Sequence, residues 1–223
     1  MPYPAGHRAI VKGKIIEGAR RLFHRHGFDN VSVQQIMSGA GLTHGGFYSY
    51  FRSKSALYAK VLACSFTDPE RNNHWDGMEV DLASSQAAAQ VVKAYLSRQH
   101  FEDVENSCSM VALPTDVMRS GEETKRAFEE VFAAMVELLE RSVADEKQQR
   151  HAKAQAVAAL CVGGMVVARA IGNGVAADEL RAACMSIALH LGGWVDTGGR
   201  VDTSGLKNVG RQQLPEECLA AVG

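Results

Sequence analysis

The order of apolar and polar residues predicts an all-α protein. Apolar residues recur every three or four positions through most of the chain, and no segment alternates as a half-buried β-strand would. Beyond the N-terminal region the pattern predicts helices at about 55–65, 84–102, 122–145, 152–171 and 177–191, a polar loop at 68–76, a short apolar segment at 108–117 broken by Pro114, and a flexible tail at 194–223.

One stretch near the N-terminus predicts two short helices joined by a tight turn. Ser32 and Gln35 have the spacing of a capping box, which satisfies two free amides at a helix start. Ile36 lies on the apolar side of that helix, and Gly41 suits the left-handed conformation that ends it. Thr43 is a favourable N-cap for the next helix. The stretch is therefore predicted to be a helix-turn-helix.

The second helix of this pair begins with two glycines, Gly45 and Gly46, directly after His44. Glycine weakens a helix, but it lets the backbone approach a partner closely, and the first turn of a recognition helix meets base edges in the DNA major groove. A helix-turn-helix with a purely structural role is the alternative. The candidate DNA contacts are Ser32, Gln34, Thr43, His44, Gly45, Gly46, Tyr48, Tyr50 and Lys54.

Two further features of this stretch concern its packing and its charge. Phe47 and Phe51 are four residues apart and are predicted to face the core. Ser53 can cap another helix, and Lys54 would lie in its first turn, where the helix dipole disfavours a cation unless an anion is near. A DNA phosphate would supply that anion.

Sequence motifs on both sides of the turn carry a resemblance to a known family. The chain reads L-F-H-R-H-G-F at 22–28, A-G-L-T at 40–43 and F-Y-S-Y-F-R-S-K-S-A-L at 47–57. Over roughly residues 8–62 this resembles the N-terminal domain of the TetR/AcrR family of transcriptional regulators. Ser55 departs from the pattern, because the family usually has an acidic residue there. The resemblance implies a three-helix DNA-binding domain at 1–54 and a larger helical domain at 55–193.

The resemblance also implies partners for the second domain. The family dimerises through its last two long helices and usually binds a small inducer, so we expect a homodimer formed by 152–171 and 177–191 and an inducer in the second domain. A single large core within one chain is the alternative for those helices. Arg169 is a charge in an apolar helix and is expected to have an acidic partner or a ligand. The candidate inducer contacts are Phe101, Met110, Phe128, Phe132, Met165 and Arg169, and for each of them a plain core role is the alternative that the residue type favours.

Charge is distributed unevenly between the two predicted domains. Residues 1–62 contain nine Lys or Arg and two acids, a net charge of +7, so the remainder has 15 basic and 23 acidic residues, a net charge of −8. This asymmetry favours nucleic-acid contact at the N-terminal end. Arg8, Lys12 and Lys14 are predicted either to form an arm that reaches DNA or to be a solvated helix start.

Cysteine, histidine and hydropathy patterns bear on the remaining function classes. The five cysteines are an odd number without a C-x-x-C pair, which predicts reduced thiols and a cytoplasmic location. The eight histidines form no metal-binding or catalytic motif, so we expect no enzyme, no cofactor and no metal. No uninterrupted apolar run approaches the ~20 residues of a membrane span, so no membrane partner is expected.

Together these features predict a ligand-responsive repressor that binds double-stranded DNA. We expect it to bind a palindromic operator as a dimer and to be released by a small-molecule inducer. A DNA-binding regulator without small-molecule control and a regulator that senses thiol oxidation are the alternatives.

Overall fold

Every regular element in the described part of the chain is a helix, which confirms the predicted all-α class. The computed structural model of the protein describes residues 7–63, 80–143 and 145–194. The elements are α1 His7–His26, α2 Val33–Gly39, a 3₁₀ helix His44–Ser49, α3 Lys54–Ala63, α4 Ala87–Tyr95, α5 Arg98–Glu102, α6 Ser109–Ala112, α7 Pro114–Arg119, α8 Glu122–Glu140, α9 Lys147–Ile171 and α10 Val175–Gly192. The predicted loop at 68–76 and the predicted tail beyond residue 194 lie outside the described residues.

Two predicted elements are divided in the structure. The helix predicted at 84–102 is α4 followed by α5, because the Ser97 side chain accepts a hydrogen bond from the His100 N–H and starts a new helix. The segment 108–117 forms the short helices α6 and α7, and Pro114 is the first residue of the second, where its missing N–H costs nothing. Helix α8 ends at Glu140 rather than at 145, and α9 begins five residues before 152.

The first core joins α1 to the helix-turn-helix and to α3. Helix α1 ends where Gly27 adopts a φ of +77° and its N–H bonds the Phe23 carbonyl oxygen at 2.8 Å. Residues of later helices also enter this core, so it does not stop at the predicted boundary after residue 54. The buried members of the cluster include Ile15, Phe23, Ile36, Met37, Phe47, Phe51, Leu57, Tyr58, Val61, Leu62, Leu113, Val117 and Ala127.

The second core is built mainly from α4, α8, α9 and α10. Phe128 of α8 packs against both clusters and links them. Helix α9 is long and apolar enough to cross a membrane by length and composition, yet it supplies several buried residues to this core, as an internal helix does. Buried members of the cluster include Val92, Tyr95, Leu96, Met110, Val131, Met135, Leu139, Val157, Cys161, Met165 and Leu189.

Helices α9 and α10 approach each other closely at Gly164. A Cβ atom at that position would lie 2.8 Å from the Cys184 Sγ atom and 3.3 Å from Leu96 Cδ2. Because real Cβ atoms essentially never come so near, a larger residue at this position would force the Cys184 side chain or the two helices to shift. The pair also leaves apolar side chains exposed on its outer side, namely Val167, Ile171, Val175 and Ile187.

Candidate nucleic-acid interface

The predicted capping box is present at the start of α2. The Ser32 Oγ atom accepts a hydrogen bond from the Gln35 N–H at 3.2 Å, and Gln35 Oε1 accepts one from the Ser32 N–H at 2.8 Å. Gly41 has a φ of +72°, and the Leu42 N–H returns to the Met37 carbonyl oxygen at 2.8 Å. These contacts confirm the predicted helix start and turn.

The recognition element after the turn is a 3₁₀ helix, whereas the sequence predicted an α-helix. Thr43 occupies the predicted N-cap position with extended backbone, but its side chain makes no capping hydrogen bond. Gly45 and Gly46 have low helix propensity, and a short segment with poor propensity is satisfied by the tighter 3₁₀ pattern. Tyr50 ends the helix, with its N–H bonded to the Phe47 carbonyl oxygen at 2.9 Å.

The outward side of this element presents backbone and three polar side chains. Thr43, His44 and Gly45 are exposed, and Tyr48 keeps 63% of its surface accessible. The Tyr48 ring packs edge-on against His44 and against Phe47, with ring centroids 6.3 Å and 5.3 Å apart. Such edge-on pairs hold an aromatic ring in place. The result is an ordered, exposed surface of the chemistry that reads base edges and phosphates.

The rest of the helix-turn-helix either packs in the core beneath this surface or is exposed next to it. Phe47 is fully buried and Phe51 nearly so, which confirms that they face the core. Ser32 and Gln34 are exposed near the start of α2, while Tyr50 is half-buried. The structure therefore brings most predicted DNA contacts onto one accessible segment and leaves their roles as predictions.

The basic residues at the start of α1 are part of the helix and not a free arm. The Arg8 Nη2 atom donates to the Ser49 carbonyl oxygen at 2.6 Å, and its guanidinium lies 5.8 Å from the centre of the Tyr50 ring. The Lys12 Nζ atom lies 5.5 Å from the centre of the Phe51 ring. These contacts place positive charge beside the recognition element.

Lys54 has protein partners that the sequence did not reveal. Its Nζ atom donates to the Phe28 carbonyl oxygen at 2.8 Å and to the Val31 carbonyl oxygen at 2.9 Å, and it lies 4.1 Å from the centre of the Phe28 ring. Partial burial lowers the pKa of the Lys54 ammonium. Lys54 therefore has protein acceptors at this helix start and does not depend on a phosphate there. An ammonium has three donors, so a phosphate contact through the third stays a prediction.

Two contacts between the helix-turn-helix region and the later helices were missed by sequence reasoning. The Asp116 carboxylate of α7 accepts the Phe28 N–H at 2.8 Å, and Arg52 pairs with Glu123 of α8 at 2.6 Å. Each joins residues far apart in sequence, so a single sequence holds no spacing signal that would reveal them.

The candidate inducer contacts have packing roles in the structure. Met110 and Met165 are fully buried, and the Phe101 ring lies 4.9 Å from the guanidinium of Arg181. Phe128 and Phe132 are half-buried beside the second core. A ligand contact by any of these side chains stays a prediction.

The hydrogen-bond partners of Arg169 in the described residues are neutral, so the acidic partner expected for it is not needed, and a ligand contact by Arg169 stays a prediction. Its guanidinium donates to the Phe101 carbonyl oxygen at 3.2 Å, to the Ser107 Oγ atom at 3.0 Å, and to the carbonyl oxygens of His100 and Asp103. Burial lowers the pKa of the Arg169 guanidinium, and neutral acceptors solvate its charge. These partners were invisible because the sequence does not show which carbonyl groups lack a helical partner.

The described cysteines have the environment of core thiols. Burial raises the pKa of the Cys108, Cys161 and Cys184 thiols, so little of each is thiolate at neutral pH. In the three described ranges, no group of three or more His, Cys, Asp or Glu side chains is arranged to hold a metal ion.

Comparisons with known proteins agree with this architecture. Residues 15–61 match the sequence pattern described as bacterial regulatory proteins, tetR family. The chain is 31% identical over 122 residues to the HTH-type transcriptional regulator YerO of Bacillus subtilis, which covers 54% of this chain and 41% of YerO. It is 34% identical over 65 residues to the HTH-type transcriptional repressor Rv1474c of Mycobacterium tuberculosis, covering 29% of this chain and 33% of the repressor. The matches thus span less than half the length of either relative.

A solved structure shares the fold over most of the chain. The reduced form of Escherichia coli NemR superposes with a TM-score of 0.64 over 81% of this chain and 96% of NemR, at 16% identity. Fold and exposed surface define a protein of the helix-turn-helix class. The N-terminal match narrows that class further: residues 15–61 have the sequence pattern of the tetR family of bacterial regulatory proteins.

Proposed function

We propose that this protein is a transcriptional repressor of the bacterial cytoplasm that binds a palindromic DNA operator as a homodimer. The observation that carries the proposal is the exposed surface of Thr43, His44, Gly45 and Tyr48 on a fully packed core. The net charge of +7 over residues 1–62 supplies attraction to phosphates. The description of the Mycobacterium tuberculosis relative as a repressor favours repression over activation.

Exposed apolar side chains support the homodimer. Val167, Ile171, Val175 and Ile187 keep between 40% and 73% of their surface accessible on α9 and α10. Exposed apolar side chains can mark a contact surface, and a two-fold pair of recognition elements would read two half-sites one helical turn apart. The dimer surface is therefore assigned to helices α9 and α10.

Control by a small-molecule inducer is the second part of the proposal. Its support is the family pattern matched at residues 15–61, and its candidate contacts Phe101, Met110 and Met165 lie in the second core. A ligand that favours a state with altered half-site spacing would release DNA. The raised thiol pKa values at Cys108 and Cys161 weigh against the redox alternative.

Selection of bound duplexes from a random DNA pool at physiological salt tests the DNA-binding proposal. We expect a palindrome with half-sites about one turn apart, bound about a thousandfold or more tighter than non-specific DNA. The His44→Ala variant, which loses an exposed side chain, is expected to select a different base at one position of each half-site. Weak binding without sequence preference by both proteins would contradict the proposal.

The Gly45→Ala variant separates DNA contact from folding. A Cβ atom at Gly45 meets nothing within 4 Å, so the free energy of unfolding should stay within about 1 kcal/mol or rise slightly. We expect the affinity for the selected operator to fall about tenfold or more, because the added methyl group separates backbone and DNA. Fluorescence anisotropy measures the affinity.

Gly39→Ala is the matched control for this substitution. Gly39 is exposed at the end of α2, also has free space around a Cβ atom, and lies outside the predicted contact surface. We expect operator affinity within twofold of the parent. An equal loss of operator affinity in both variants, or no loss in Gly45→Ala, would show that Gly45 does not contact DNA.

A further inference from the structure

The segment 100–107, which comprises the end of α5 and most of the connection to α6, is held by side chains from two different helices. Beyond Glu102 it has no regular structure, so its own backbone provides few hydrogen bonds. Within the segment, the Asp103 carboxylate accepts the Asn106 N–H at 3.0 Å and stabilises a turn. Its position therefore depends on the hydrogen bonds that side chains of the two helices make with it.

From α9, Arg169 supplies hydrogen bonds along the whole segment. Its acceptors are the carbonyl oxygens of His100, Phe101 and Asp103 and the Ser107 hydroxyl. Ser107 is almost completely buried. One planar guanidinium thus fixes both ends of the segment, which a flexible or monodentate donor cannot do.

From α1, Arg20 and His24 hold the same segment. The Arg20 Nη1 atom donates to the Glu105 carbonyl oxygen at 2.6 Å, and its Nη2 atom donates to Asn106 Oδ1 at 3.1 Å. The His24 Nδ1 atom lies 3.2 Å from the same Glu105 carbonyl oxygen. Both side chains are buried, at 4% and 7% exposure, so water does not easily replace these contacts.

Helix α1 in turn forms one body with the recognition element. Ile15 and Phe23 share a core with Phe47 of the 3₁₀ helix. Arg8 adds a hydrogen bond to the Ser49 carbonyl oxygen at 2.6 Å. Because close-packed cores move as units, a change in the position of α1 is a change in the position of the recognition element.

We propose that Arg169 is a positioning residue for DNA recognition, which acts through the segment 100–107. By holding that segment against Arg20 and His24, it sets the orientation of α1 and of the 3₁₀ helix His44–Ser49 relative to α9. In a dimer formed through α9 and α10, this orientation determines the separation of the two recognition elements. The inference rests on the proposed function and adds one residue that helps to set the half-site spacing.

The test uses the full-length Arg169→Met variant and operators in which the spacer between half-sites is shortened or lengthened by one or two base pairs. Each added base pair rotates one half-site by about a tenth of a turn, so a rigid dimer discriminates strongly among spacers. We expect the parent to prefer one spacer by about tenfold and the variant to lose most of that preference. Affinity for a single half-site should stay within twofold, because the recognition surface is unchanged.

Arg150→Met is the matched control, since Arg150 is also on α9 and donates to a backbone carbonyl, that of Asp145, away from the segment. It should keep the parent's spacer preference. If Arg169→Met does not fold, Asn106→Ala replaces it, because Asn106 is exposed and its loss removes an acceptor of Arg20. An unchanged spacer preference, or an equal loss of half-site affinity, would overturn the positioning role.

Hydrogen exchange without DNA separates failure of this inference from failure of the proposed function. We expect amides of residues 8–26 to exchange about fivefold faster in Arg169→Met and in Asn106→Ala than in the parent, but not in Arg150→Met. If the parent selects no palindrome, the proposed function fails. The exchange rates of residues 8–26 then still show whether Arg169 stabilises the position of α1. Unchanged exchange of α1 would overturn the link.

Discussion

Replacing Lys54 by methionine should lower the free energy of unfolding by about 1.5–3 kcal/mol. The substitution removes two charge-assisted hydrogen bonds, to the carbonyl oxygens of Phe28 and Val31, and a cation–π contact with the Phe28 ring. Methionine keeps an apolar side chain of similar length, so the loss of stability measures the contribution of the Lys54 ammonium group. Urea unfolding followed by circular dichroism measures the change at a fixed protein concentration, because the stability of the proposed dimer would depend on concentration.

Lys60→Met is the control for this prediction. Lys60 lies on the same helix, is exposed, and has no hydrogen-bond or ion-pair partner among the described residues. Its replacement should change stability by less than about 0.5 kcal/mol. Equal stabilities of the two variants would show that the Lys54 contacts contribute nothing to the fold.

The Lys54→Met variant also tests the predicted contact between Lys54 and a DNA phosphate. Measured well below the unfolding transition, the variant should show a salt dependence of DNA binding reduced by about one ion if the third ammonium donor meets a phosphate. An unchanged salt dependence together with the stability loss would assign Lys54 to the fold alone.

The second large effect concerns the contact between α9 and α10. Gly164→Ala should destabilise the protein by about 1–3 kcal/mol, because its Cβ atom would overlap Cys184, whose Sγ and Cβ atoms lie 2.8 Å and 3.0 Å away. Gly18→Ala is the control, since a Cβ atom on that α1 residue meets nothing within 4 Å. The control should be neutral or more stable by up to about 1 kcal/mol.

A double-mutant cycle assigns the overlap to its partner. In a Cys184→Ala background the Sγ atom is gone, so Gly164→Ala should cost about 1 kcal/mol less than in the parent. Thermal unfolding of the four proteins gives the coupling energy. Additive effects of the two substitutions would mean that the added methyl group is accommodated elsewhere.

Local features were predictable from the sequence, and features that depend on distant contacts were not. The capping box of Ser32 and Gln35, the left-handed Gly41 and the buried Phe47 follow from spacing and residue type within a few positions. The 3₁₀ form of the recognition element was missed, because the sequence indicates where a helix starts but not whether its hydrogen bonds follow the α or the 3₁₀ pattern.

The roles of the two predicted ligand cations show the same limit. Lys54 and Arg169 were expected to meet anions, since a cation in an unfavourable position usually has a charged partner. Both instead donate to backbone carbonyl oxygens, whose positions are set by how helices pack. Residue identity does not encode those positions, because every residue has a carbonyl group.

The open space around Gly45 has an evolutionary consequence. The residue lies within the exposed surface proposed to contact DNA, and a Cβ atom there would meet no other part of the described chain within 4 Å. A mutation at this codon can therefore alter the predicted DNA contact without first losing stability. After a gene duplication, one copy could lose its affinity for the parent operator in a single substitution while its fold stays intact.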